Sequence, residues 1–267
     1  MAISSRHNTR FRDALALRDA RERRRRRELL LDGAREITRA LDGGLAVREA
    51  WVAPERVHSD AAREAIVALG RAGTEIVEAA PELLDRLAYG DRDEGVVAIV
   101  AAPPTELDRL SLPADPLVAV LDGVEKPGNL GAVVRSADGA GVDAVVLTDP
   151  ASDPWNPNAI RASMGTLFGM PLAVSTAPEA IAWLRAREVS IVTARVDADL
   201  DYDRIDLRSG VAVVLGSEAA GLGQVWTGPD VTAVRVPMLG RADSLNVSAT
   251  AAILFYEARR QRMRQRW

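Results

Sequence analysis

The chain of 267 residues contains no cysteine. Disulfides, thiolate zinc sites, iron–sulfur clusters and cysteine nucleophiles are excluded with it. Histidine is nearly absent: His7 and His58 are the two in the chain. Neither stands near a motif described below, which argues against a serine–histidine hydrolase or a multi-histidine metal centre. Lysine is rarer still, with Lys126 alone among 34 basic residues. That arginine bias fits a GC-rich genome and is not in itself phosphate recognition. No apolar run approaches the roughly 18 residues of a membrane span. The start, MAISSRHNTRFRD, lacks the apolar core of a signal peptide. The expectation is a cytoplasmic protein.

What is present is ordinary globular material, 48% hydrophobic and 27% charged. At about 150 residues per domain, the length suggests one large domain or two small ones. The formal charge is −4 overall, but residues 1–27 carry +7 and the last eleven +4, so the interior stands near −15. Terminal blocks of like charge are commonly arms for polyanions. The densest run, residues 23–27, reads equally as such an arm or as a solvated helix start. Within it, Arg23, Arg24 and Arg25 are the candidate polyanion contacts.

Residues 1–24 are polar and basic with thin periodicity, and are expected to form a mobile or partly helical arm. From Arg25, the residues Leu29, Leu30, Ala34, Ile37 and Leu41 recur at helical spacing. Gly43 and Gly44 end that helix. Strands are expected at 45–53, 74–80 and 95–102. Helices are expected at 61–73, with Asp60 as a cap, and at 81–88. Residues 25–102 thus form a small α/β unit, and the proline-rich stretch 103–116 is the linker candidate. Beyond it, strands at 117–123, 143–149, 172–175, 190–196, 210–217 and 232–238 alternate with helices at 130–141, 157–165, 178–187 and 244–262. Continuous Val/Ile/Leu strands between helices imply a parallel sheet covered on both faces.

Ligands in such sheets bind at the carboxyl ends of strands. Three segments there are unusual. In EKPGNLGAVVRSADGAG (125–141), Gly128 and Gly131 permit close backbone approach, Asn129 precedes the helix, and Arg135 follows two apolar positions. In VVLGSEAAGL (213–222), a buried strand ends in Gly-Ser-Glu, placing Glu218 toward a ligand. In VPMLGRADSLNVSATAAILFYEA (236–258), Pro237 ends a strand, and Ser244, Asn246 and Ser248 open a helix whose N–H groups could hold an anion. None is a nucleotide loop: the G-x-G-x-x-G spacing fails, and GSEAAGL lacks the lysine of a P-loop. A dinucleotide-dependent oxidoreductase therefore fails on its fingerprint. Each segment alone reads as a capped turn; all three on one sheet do not. Trp51, Trp155, Trp183 and Trp226 read as packing residues rather than base-stacking platforms. Arg161, in RASMG, could meet a phosphate or an internal carboxylate.

The order NLGAVVRSADGAG, RASMGTLF (161–168), VLGSEAAGL, VPMLGRADSLNVSATAAILFYEA resembles the SpoU branch of the SPOUT RNA ribose 2′-O-methyltransferases, over about 117–262. Residues 25–102 resemble, more weakly, the ribosomal-protein-like RNA-binding domain of its ribosomal-RNA members. The resemblance implies an α/β SPOUT domain over 117–267 with a deep trefoil knot, S-adenosylmethionine as cofactor, no metal, and a homodimer. It maps the cofactor to Leu215, Gly216, Ser217, Glu218, Gly221, Val236, Pro237, Met238, Ser244, Leu245, Asn246 and Ser248, with Thr193 and the rest of 193–195 nearby. It gives catalytic roles to Asn129, Arg135, Glu218, Ser244 and Asn246, with Asn129 and Arg135 reaching the cofactor of the other subunit. Arg135 would serve as general base or, since a guanidinium stays protonated, as phosphate anchor and charge stabiliser. One departure is Ala219, where the family usually has glycine. The implied substrate is RNA, 23S ribosomal RNA first. Transfer RNA, or a non-catalytic RNA-binding or assembly role on the same fold, are the alternatives.

Overall fold

The computed structural model describes residues 2–90 and 94–263. It divides into two compact units: Met1–Pro103 with Trp155–Gly169, and Pro104–Pro154 with Met170–Trp267.

The first unit opens with helices α1 (Thr9–Ala16) and α2 (Ala20–Arg26), followed by strand β1 (Glu28–Asp32) and helix α3 (Ala34–Asp42). Then come β2 (Val47–Val52), α4 (Asp60–Arg71), β3 (Glu75–Glu78), α5 (Pro81–Leu87) and β4 (Val96–Ala101). The sheet order is β1-β4-β2-β3. Strand β4 runs antiparallel to both neighbours, and β2 pairs β3 in parallel.

Two expectations are corrected here. The segment before Arg25 is helical in part, as allowed above, but packed rather than a mobile arm. Asn8 and Asp19 accept hydrogen bonds from the first-turn N–H groups of α1 and α2, satisfying donors a helix start leaves open. Phe11, Ala14 and Leu17 are fully buried, and Phe11 meets Trp51 edge-on with ring centres 6.1 Å apart. The helix expected from 25 to 41 is also wrong in its first half. Leu29, Leu30 and Leu31 are all buried in β1, which pairs with β4 from Glu28↔Ala101 to Asp32↔Val97. A strand buried on both faces is a continuous apolar run, which spacing alone cannot separate from a helix. Gly33, at φ 109°, turns the chain into α3. The α4 cap is Ser59, not Asp60.

The second unit contains β5 (Leu117–Asp122), α6 (Pro127–Ala140) and β6 (Ala144–Thr148). The next helix in the chain, α7 (Pro157–Ala162), belongs to the first unit. The chain then returns through β7 (Leu172–Ser175), α8 (Ala177–Arg185), β8 (Ser190–Ala194) and β9 (Leu200–Asp201) to β10 (Val211–Leu215), β11 (Val231–Arg235) and α9 (Val247–Met263). The sheet order is β7-β6-β5-β10-β8-β11-β9, with every pairing parallel. Strands β5, β6 and β10 are buried almost throughout, and Trp183 and Trp226 pack into the core beside them.

The boundaries differ from expectation at two places. Within 103–116, Leu110 is buried in the second unit's core with Leu107 and Leu112 against it, and Val174 N–H donates to the Thr105 carbonyl at 2.7 Å. Most of that stretch is therefore part of the unit rather than a linker. Segment 155–169 sits with the first unit because Arg39 donates to the Met164 carbonyl at 2.6 Å and Arg161 to the Tyr89 carbonyl. Among the described residues, no helix is long and apolar enough to cross a membrane.

Candidate active site

Parallel strands send all their carboxyl ends to one edge of the sheet. Strands β10, β8 and β11 are neighbours, so the segments that leave them emerge side by side. Together with the approach to α9 they enclose a cavity of about 880 Å³. Of the positions singled out for a cofactor, Leu215, Gly216, Ser217, Glu218, Gly221, Val236, Pro237, Met238, Ser244 and Leu245 line it. Thr193, Asn246 and Ser248 do not. Thr193 is fully buried in β8 with an unpartnered hydroxyl. Asn246 immediately precedes α9 and Ser248 lies in its first turn.

The 216–222 loop is tight. A Cβ on Gly216 would stand 2.4 Å from the Gly221 carbonyl carbon and oxygen, both backbone atoms. Ser217 and Gly221 form a bridge, with Gly221 N–H donating to the Ser217 carbonyl at 2.9 Å and Ala220 N–H to Ser217 Oγ at 3.0 Å. The left-handed position is Gly221, at φ 65°. Ala219 is not left-handed, so alanine there is unstrained and the departure from the family pattern costs the loop nothing.

Four polar side chains converge beside the cavity. Glu218 Oε1 accepts from Asn246 Nδ2 at 2.6 Å, and Oε2 pairs with Lys126 Nζ at 2.9 Å. Asn246 Nδ2 also reaches Asn129 Oδ1 at 3.3 Å. Asn246 Oδ1 accepts from Ser248 N–H at 2.9 Å and Ser248 Oγ at 2.6 Å. The Lys126 ammonium holds the Glu218 carboxyl below the usual carboxylate range, aided by hydrogen bonds from Asn129 and the Val247 N–H; Glu218 in turn raises Lys126. Pro127 occupies the first helical position of α6, where its missing N–H costs nothing. Helix α6 thus starts three residues before the expected 130, and Asn129 lies in its first turn rather than before it. Asn129, expected to act across a subunit boundary, makes its contact to Asn246 within one chain.

Arg135 stands apart from this group. Val133 and Val134 are buried, but Arg135 is exposed. Among the described residues it has no ion pair or hydrogen bond, and it does not line the cavity. The cavity wall adds charged residues that sequence reasoning missed: Asp197, Asp243, and Asp201 with its ion-pair partner Arg235. Their signal was position alone, at or just past strand ends. Lys126 was missed too, although it is the one lysine in the chain. Arg195, in the same wall, donates to the Leu222 carbonyl at 2.9 Å and keeps a buried, unpartnered Nε.

The basic candidates of the first unit divide. Arg23 is buried and donates to the Leu17 and Arg18 carbonyls at 3.1 and 2.8 Å; it closes the α1–α2 turn instead of facing a polyanion. Arg24 is exposed, Arg25 is exposed and paired with Glu22, and Arg161 is tied to the Tyr89 carbonyl, not to a carboxylate. All four of the tryptophans weighed above are buried.

Comparison with known proteins places this geometry. A profile described as the SpoU rRNA Methylase family matches residues 116–256, and one described as an MRM3-like substrate binding domain matches residues 8–98. A 23S rRNA (uridine(2479)-2′-O)-methyltransferase of Streptomyces viridochromogenes is 35% identical, over 98% of this chain and 92% of its own length. A crystal structure of an RNA 2′-O ribose methyltransferase is 36% identical with a TM-score of 0.86, covering 98% of this chain and all of that one. The structure of the SpoU methyltransferase AviRb from S. viridochromogenes, in complex with AdoMet, is 33% identical with a TM-score of 0.88, covering 96% and 99%. A profile over more than half of the chain, with relatives of this identity along nearly all of it, makes the chain a member of the SpoU rRNA methylase family.

Proposed function

We propose that the protein is an S-adenosylmethionine-dependent methyltransferase that modifies a ribose 2′-hydroxyl of 23S ribosomal RNA in the cytoplasm. The observation that carries the reading is one cluster, Lys126–Glu218–Asn246–Asn129, built from three distant segments against a cavity of small-molecule size. The residues fit the cofactor. Gly216 lies directly against the Gly221 backbone, which folds the 216–222 loop tightly along the cavity wall. The wall presents charges of both signs, Arg195 against Asp197 and Asp243, suited to a zwitterionic amino-acid tail. When bound, S-adenosylmethionine supplies an already activated methyl group.

The chain's residues then have to place the ribose and manage charge. Positioning contributes most, because the donor needs no further activation. Asn129 offers its amide to a ribose hydroxyl, Asn246 and Glu218 orient it, and Ser244 shapes the cofactor loop. Arg135, exposed and without a partner among the described residues, is suited to anchoring a phosphate and stabilising the alkoxide as it forms. Its separation from the cavity of its own chain favours a homodimer in which it serves the other subunit's site. The segment between β11 and α9 would thread the trefoil knot of the family. The first unit would bind RNA, with Arg24, Arg25 and Arg161 as basic candidates.

The test is methyl transfer from labelled S-adenosylmethionine to 23S, 16S and transfer RNA transcripts, with Arg135→Ala in parallel. The modified position is mapped by its resistance to alkaline cleavage. The expected result is incorporation into 23S RNA at one ribose, lost in Arg135→Ala with cofactor affinity kept within a few-fold. Incorporation into transfer RNA alone replaces the substrate. Absence of both transfer and cofactor binding leaves a non-catalytic RNA-binding protein.

A further inference from the structure

The only lysine of the chain stands at the N-cap of α6. Its side chain is mostly in solvent, 73% exposed, whereas Glu218 is 28% exposed. An ion pair with so exposed a partner adds little to stability, so the pair is better explained by what Glu218 does. The carboxylate has two oxygens with separate duties: Oε2 faces Lys126 at 2.9 Å and Oε1 accepts the Asn246 amide at 2.6 Å. Asn246 in turn has its Oδ1 fixed by Ser248 N–H and Oγ, and so can present its Nδ2 only along the line Glu218 and Asn129 set. A carboxylate on a loop as short as 216–222 can rotate about its own side chain unless its second oxygen is held. Lys126, at the N-cap of α6, is the cation that holds it, alongside the hydrogen bonds from Asn129 and the Val247 N–H.

We infer that Lys126 is a positioning residue for methyl transfer: by pinning Glu218 Oε2 it keeps Oε1 on the Asn246 amide, and so fixes Asn246 and Asn129 for the ribose. The inference rests on the methyltransferase reading above. The charged group facing Lys126 besides Glu218 is Glu125; around Glu218, the other groups are Asn129 and the Val247 N–H. Loss of the ammonium therefore leaves the carboxylate without its cation. Its titration moves up, and activity that needs the carboxylate is lost at a higher pH on acidification.

The experiment compares the wild-type protein with Lys126→Met, Lys126→Arg, Glu218→Gln and the Lys126→Met/Glu218→Gln pair. Lys126→Met should lower kcat about tenfold, as expected for misplaced reacting groups, with KM for both substrates within twofold. The acid limb of its kcat–pH profile should shift upward. Lys126→Arg should restore both, and the double variant should be no slower than Glu218→Gln, since Lys126 acts through Glu218. Unchanged kcat and pH profile in Lys126→Met overturns the inference. A defect confined to the KM for RNA overturns it as well, making Lys126 a phosphate contact. Carboxyl-carbon NMR of Glu218, assigned with Glu218→Gln, reads the pin without catalysis. A wild type that transfers no methyl group refutes the methyltransferase reading, whereas a Glu218 that titrates identically with and without Lys126 refutes the pin.

Discussion

Replacing Gly216 by alanine is the sharpest test of how the cavity is built. The new Cβ would lie 2.4 Å from the Gly221 carbonyl carbon and oxygen and 2.7 Å from Leu222 N. Ordinary contacts between such atoms are about 3.5–4.0 Å. Both sides are main chain, so no side-chain rotation relieves the clash and the strands of the loop must part by about 1 Å. That movement strains the Ser217↔Gly221 bridge and the two hydrogen bonds that close it, at 2.9 and 3.0 Å. Overpacking of this kind costs about 1–3 kcal/mol. At about 2–4 °C per kcal/mol for chains near this length, the second unit should melt several degrees lower. The larger effect is on binding, because the same loop carries Glu218 and lines the cavity. Titration calorimetry with S-adenosylmethionine should show at least a tenfold loss of affinity. The control is Ala219→Gly, which removes no needed conformation and costs only the roughly 0.5–1 kcal/mol of added chain entropy. Cofactor affinity within twofold in Gly216→Ala, or a severalfold gain of activity in Ala219→Gly, would refute this account of the loop.

Three further outcomes are expected. Phe11→Ala should destabilise the first unit by about 3–5 kcal/mol, the cost of emptying a fully buried aromatic site; a denaturant midpoint unchanged from wild type would restore the free-arm reading of residues 1–24. Arg23→Ala should cost about 1–3 kcal/mol by removing the donor to the Arg18 carbonyl and one of the two donors to the Leu17 carbonyl, seen in the same denaturation. Arg24→Ala should leave the midpoint in place and flatten the salt dependence of RNA binding, and a flat response to salt in the wild type would count against a phosphate contact there.

Most strands were legible because burial on both faces makes an unbroken apolar run, as in LVAVL of β5 and VAVVL of β10. The same property misled at 29–31. There the leucine run continued into Ala34 and Ile37, which do lie on a helix, and the two elements merged into one apparent periodicity. Helices α1 and α2 were legible only as a partly helical stretch: α2 is almost wholly charged, and in α1 Arg10, Arg12 and Asp13 break up Phe11 and Ala14. Helix starts slipped because the first turn is set by caps. Pro127 and Ser59 begin helices with residues that carry no hydrophobic signal.

The site's residues were legible one segment at a time, and their meeting was not. Asn129 and Asn246 are 117 positions apart in the chain, and no local pattern links them. What brings them together is strand order. Strand β10 is inserted between β5 and β8, so the loop bearing Glu218 leaves the sheet next to the one that follows β5 and starts α6. Helix α9 then packs along α6, which carries its N-terminal Asn246 to the same place. Apolar periodicity specifies which face each element buries, but not which strand each will neighbour. Motif resemblance specified the participants because it carries the pairing implicitly. It left out Lys126, whose role depends on a 2.9 Å approach to Glu218 and not on belonging to a recognised motif. Arg135 shows the converse: the motif marks it, yet among the described residues it has no partner, because it sits on the exposed side of α6 beside the buried Val133 and Val134.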